Sequence, residues 1–188
     1  MLFFVIICVL AYTRLDSGGG GVKIKTKEAP SYAGVDPDLQ AYVSDYVQLA
    51  AKHNVTFTNP QPVTMGFTHI ISDSVIGYCT YGKNFREIDI DVVFWQKASP
   101  TTKMLLIFHE MTHCLCTRDH DYDNGEKYQP AIIEYLIGRG IPFYKDRPGY
   151  YKDGCPTSIM HPIILSDSCY NAHSKDYVGE LFNRCSPY

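Results

Sequence analysis

The chain has 188 residues, of which 45% are hydrophobic and 20% charged, with a net charge of −3. That is enough for one domain with a core of its own, and the composition is globular, not disordered or fibrous. A mildly acidic balance offers no basic surface, so neither nucleic acid nor an anionic membrane is expected as a partner.

Leu2 to Tyr12 form an apolar run too short to span a bilayer comfortably, and Gly18 to Gly21 follow it. This reads as the core of a secretory signal, without a basic residue before it, cleaved between Ala11 and Gly21. The expected organisation is a signal and glycine-rich linker over 1–21, then a single domain over 22–188. The protein is expected to be secreted or extracytoplasmic, without stable membrane insertion once the signal is removed. Losing Cys8 leaves Cys79, Cys114, Cys116, Cys155, Cys169 and Cys185, an even set that implies disulfides in an oxidising compartment. Cys155 and Cys169 would close a short loop around residues 157–162.

Asp36 to His53 carries Leu39, Tyr42, Val43, Tyr46, Val47, Leu49 and Ala50 at three-four spacing and predicts a helix. Asp36 can cap it, Pro37 suits its first position and Asn54 can end it. Asn54-Val55-Thr56 is also a glycosylation acceptor triplet. Val63 to Ile71, Ser74 to Tyr81 and Ile88 to Trp95 read as strands. In the last, Glu87, Asp89 and Asp91 alternate with Ile88, Ile90 and Val92, which predicts one buried and one solvated face. Those three carboxylates could in principle hold a second metal, but a solvated strand surface is the simpler reading.

Ser99 can cap the next helix, with Pro100 in its first turn and an apolar run from Met104 to Phe108. The run leads into His109-Glu110-Met111-Thr112-His113, an H-E-x-x-H sequence. On an α-helix, residues four apart lie about 40° apart in projection, so His109 and His113 share a face and could grip one Zn²⁺. Glu110 lies about 100° round, placed to reach water beside that metal without ligating it. A hydrolytic zinc site needs a third protein ligand, and His120 and Asp119 are the near candidates; imidazole is the commoner ligand, which favours His120. Cys114 and Cys116 are two apart and point to different faces, which disfavours a thiolate site. Glu134, on a further expected helix, is a third candidate, of the kind used by gluzincin peptidases. The acidic stretch Asp121 to Gly125 reads as a solvated turn, residues 138–156 as a surface segment, and Ser174 to Phe182 as a terminal helix.

H-E-x-x-H followed by Thr157-Ser158-Ile159-Met160-His161-Pro162 resembles the metzincin metallopeptidases, whose pattern is H-E-x-x-H-x-x-G-x-x-H with a later S-x-M turn. The resemblance covers roughly residues 35–185 and is specific at 109–120 and 157–162. The chain departs from it after His113: Cys116 stands at the glycine position and Asp119 at that of the third histidine. One added residue, with His120 as ligand, would let the chain turn back without the glycine. The resemblance implies a small α+β domain, its twisted, mostly antiparallel or mixed sheet packed on a long N-terminal helix and a central zinc-binding helix. It further implies one zinc held by His109, His113 and His120, with Glu110 as general base, and Met160 packed beneath the histidines. The tyrosine that assists the oxyanion in some metzincins is replaced by Pro162, so another tyrosine would have to serve. His161 and His173 read as supporting or surface residues.

The expected function is therefore a secreted zinc endopeptidase acting on peptide or protein substrates, expected as a monomer. The alternatives are a zinc-binding module of the same fold without turnover, a gluzincin-type peptidase using Glu134, and a disulfide-stabilised structural domain with an accidental motif.

Overall fold

A computed structural model describes residues 30–57, 63–72, 75–81, 84–120 and 150–185. The expected signal and linker, the acidic turn at 121–125, Glu134 and residues 138–149 lie outside the described residues.

Helix α1 spans Gln40–Lys52 and starts later than Asp36 and Pro37 suggest. The Asp36 carboxylate accepts from the Asp38 N–H at 3.0 Å and its carbonyl from the Leu39 N–H at 2.9 Å. Asp36 thus closes a tight turn, and Leu39 enters the helix without a side-chain cap. Asn54, at φ 60°, ends the helical run as expected of a residue that tolerates the left-handed region.

Strands β1 (Val63–Thr68), β2 (Gly77–Tyr81) and β3 (Arg86–Asp91) form a mixed sheet in the order β1-β3-β2. β1 runs parallel to β3 with Val63 opposite Arg86, and β2 runs antiparallel with Gly77 opposite Ile90. The strand expected to continue to Trp95 instead becomes helix α2 (Val92–Lys97). The cause is Asp91, whose carboxylate caps the Phe94 N–H at 2.7 Å and takes the Ile70 N–H at 2.9 Å. The helical turn places Trp95 in the core, edge-on to Tyr42.

Helix α3 (Pro100–Cys116) begins as its sequence predicts, with Ser99 Oγ accepting from the Thr102 N–H at 3.1 Å and Pro100 in the first turn. Every residue from Leu105 to Cys116 is buried. That is the fate of a helix apolar around most of its circumference: α3 packs against β2 and β3 and against α1 and helix α4 (Asp167–Asn183). Ser166 caps α4, which is longer than the expected 174–182 and bends at His173.

Ile88 and Ile90 are fully buried on the face of β3 toward α3, as the alternation predicts. The solvated face is a correction: Glu87, Asp89 and Asp91 are all buried. Residues 30–35 cross it. Tyr32 donates its hydroxyl to Asp89 at 2.7 Å, the Ser31 N–H donates to Glu87, and Val35 pairs with Met65. The Tyr32 ring lies on Gly66, where a Cβ would come within 2.4 Å of it, so the close approach depends on glycine. Burial, with Asp89 and Glu87 adding to it, raises the Tyr78 hydroxyl to about 12 and moves Tyr32 in the same direction.

Three disulfides, Cys79–Cys114, Cys116–Cys185 and Cys155–Cys169, use all six cysteines of the expected domain. They tie α3 to β2, the end of α3 to the residues after α4, and the segment before residues 157–162 to the start of α4. Such a set suits an oxidising compartment. Among the described residues, no helix is long and apolar enough to cross a membrane.

Candidate metal centre

His109 and His113 stand one turn apart on the buried end of α3, and His120 returns to them after the helix ends. All three are buried. Their Nε2 atoms lie 3.0 Å (His109–His113), 3.1 Å (His109–His120) and 3.2 Å (His113–His120) apart.

Two of the rings are fixed from behind. His109 Nδ1 is 2.7 Å from the Ile159 carbonyl and His113 Nδ1 is 2.6 Å from the Arg118 carbonyl. A carbonyl only accepts, so both Nδ1 atoms carry the proton. Both Nε2 lone pairs then face each other and His120 at contact distance, an arrangement that a cation between them stabilises. Tetrahedral zinc with bonds of about 2.0–2.1 Å would separate its nitrogen ligands by roughly 3.3–3.4 Å. The three rings fit such an ion with adjustments of a few tenths of an ångström, and they form a group able to hold one.

Burial holds all three imidazoles neutral, which is the ligating form. It lowers His109 to about 4 against the helping hydrogen bond to Ile159, His113 to about 3, and His120 to about 2. Each of the latter two is lowered further by its neighbours in the triad.

The turn after α3 separates the two near candidates for the third position. Cys116 is still helical, and Thr117 takes the left-handed conformation at φ 48°, ψ 33°. The positive φ thus falls one residue after the glycine position of the metzincin pattern, and the third imidazole also falls one residue later. Asp119 is exposed while His120 is buried in the triad.

Glu110 is fully buried. A Cβ at Gly77 would sit 3.2 Å from its Cγ and Oε1 and 3.2 Å from Leu106, so a bare glycine backbone of edge strand β2 passes directly over the carboxylate. On the other side, the turn at 157–162 supplies the Ile159 carbonyl to His109. Ser158 Oγ accepts from the Met160 N–H at 3.0 Å, and Met160 is fully buried.

His161 is buried and serves a neighbour. Its Nδ1 accepts from the Ile163 N–H at 3.1 Å, so its Nε2–H donates to the Tyr150 oxygen at 2.7 Å. His161 is close enough to His120 to contribute to the lowering of its pKa. As one of 15 tyrosines, Tyr150 carries no local signal in the sequence. His173 pairs with Asp153 at 2.7 Å outside the triad. Cys155 lies with them, but its disulfide to Cys169 removes the thiolate a metal would need.

No family model, curated protein or solved structure matches the chain.

Proposed function

We propose that the protein is a secreted zinc-dependent endopeptidase of metzincin type. The observation that carries this reading is the convergence of three buried, neutral imidazoles, two held by Nδ1–H to carbonyl bonds, with Glu110 next to His109 in sequence. His109, His113 and His120 hold one zinc. When bound, the ion supplies Lewis acidity, acidifying water and polarising a carbonyl oxygen. Glu110, next to His109 in sequence, would accept the proton of the attacking water and pass it to the leaving amine. With Pro162 in place of the usual tyrosine, Tyr150, hydrogen-bonded to His161, would be the candidate partner of the oxyanion.

One observation favours a second reading, a zinc-binding module without turnover: Glu110 is fully covered, with the Gly77 backbone against it. Metal analysis paired with cleavage of a broad peptide library separates the two. One zinc per chain with cleavage supports the peptidase; one zinc without cleavage establishes the module. His120→Ala should lose most of the metal and Asp119→Ala should keep it, and the reverse result would reassign the third ligand.

A further inference from the structure

We infer that Arg118 is the positioning residue of the metal centre: through Glu180 and Ser158 it locks the turn that carries His120 to the turn that supports His109, and so sets metal affinity. This rests on the zinc reading above.

Arg118 acts through both its backbone and its side chain. Its carbonyl accepts the His113 Nδ1–H at 2.6 Å. Its guanidinium is buried, with Nη2 paired to the Glu180 carboxylate and 3.4 Å from Ser158 Oγ. Nη1 donates to the carbonyls of Glu180 and Leu181, each at 3.3 Å, in the last turn of α4, where the helix favours a cation. The Glu180 carboxylate in turn accepts the Ser158 hydroxyl at 2.9 Å, and Ser158 accepts the Met160 N–H at 3.0 Å. The adjoining Ile159 carbonyl holds His109 at 2.7 Å. A hydrogen-bonded path therefore runs from the back of the His113 ring, through Arg118, Glu180 and Ser158, to the back of the His109 ring.

This path does the work that the glycine of the metzincin pattern does by backbone freedom. Thr117 sits in the left-handed region, which costs a residue with a Cβ roughly 1–2 kcal/mol. The clamp on the following residue holds it there. A buried ion pair contributes little net stability but fixes geometry, and a planar guanidinium can serve several acceptors at once where an ammonium cannot.

The test uses the full chain with its disulfides intact. Zinc affinity is measured by competition with a chromophoric chelator for wild type, Arg118→Lys, Glu180→Gln and Ser158→Ala. The Co²⁺-substituted visible spectrum is recorded beside it, at a temperature where every metal-free variant is folded by circular dichroism. Wild type should take one zinc. Arg118→Lys and Glu180→Gln should each bind zinc about 10–100-fold more weakly, with a changed cobalt band, and Ser158→Ala should fall between them and wild type. The double variant Arg118→Lys/Glu180→Gln should lose little more than either single one, because both break the same path. A merely structural role would lower the melting temperature and leave affinity and spectrum alone. Zinc affinity within twofold of wild type in both single variants overturns the inference. If Arg118→Lys does not fold, the isosteric Glu180→Gln decides it alone. Failure of wild type to bind zinc would instead remove the metal reading itself, and this role with it.

Discussion

Two places in this fold bury ionisable side chains set at regular intervals in the sequence, and they satisfy them in opposite ways. On the outer face of β3, each carboxylate meets donors: Tyr32 reaches Asp89, the Ser31 N–H reaches Glu87, and the Ile70 and Phe94 N–H groups reach Asp91. At the end of α3, the proton of each helix-borne histidine is spent on a carbonyl behind the ring, and the lone pairs are turned toward one another. The first arrangement gives each carboxylate at least one donor within the protein. The second could hold a cation. Counting donors against acceptors separates the two clusters where burial and spacing do not.

The contrast can be broken most forcefully at Glu110. Glu110→Gln should keep one zinc per chain and cut peptide hydrolysis by about 10²–10⁴, since the amide retains shape but cannot accept a proton at neutral pH. Equal cleavage by wild type and variant would remove the general-base role. Next in size is the clamp around the Met160 turn. Replacing Cys155 and Cys169 together with serine opens a loop of 14 residues and should cost about 3 kcal/mol in urea unfolding. An unchanged midpoint would show that the loop is held by other contacts.

The pH dependence of the metal-free protein sharpens the comparison further. The triad is lowered from 6.5 to about 4, 3 and 2. Between pH 6.5 and about 4, the unfolded chain therefore takes up protons that the folded one refuses, and stability falls as pH falls. Each histidine contributes up to about 1.4 kcal/mol per pH unit, so His120→Asn should flatten that slope by about as much. A slope indifferent to the substitution would mean that His120 does not titrate as a buried group. The smallest effect belongs to the sheet. Tyr32→Phe removes one hydrogen bond to Asp89 and should cost about 1 kcal/mol, with zinc affinity unchanged. A change in metal binding there would show that the two clusters are coupled.

What the sequence makes legible is whatever a short stretch decides. Ser99, Pro100 and the apolar run place α3 correctly, and helical spacing alone brings His109 and His113 together. The Cys155–Cys169 bridge, expected as a short loop around the Met160 turn, is present. The misreadings arise where a distant residue intervenes. Glu87 and Asp89 read as wet because alternation reports which groups share a face, while the cover arrives from more than 50 residues upstream. Val92 to Trp95 has strand composition, yet the Asp91 cap and a buried place for Trp95 turn it helical. Arg118 and Tyr150 carry no such mark, because arginine and tyrosine have no characteristic spacing. Only their partners, Glu180 and His161, reveal them.

The dependence of the site on α4 has a consequence for synthesis. A growing chain that has emerged through Met160 already holds all three imidazoles, but not Glu180, and not Cys185, the partner of Cys116. Nor does it hold Asp167, whose carboxylate accepts the hydroxyls of Ser99 and Thr102 at the opposite end of α3. The histidine triad is thus fixed from behind by residues that follow it in the chain. A ribosome-bound chain stalled before α4 is therefore expected to hold zinc poorly.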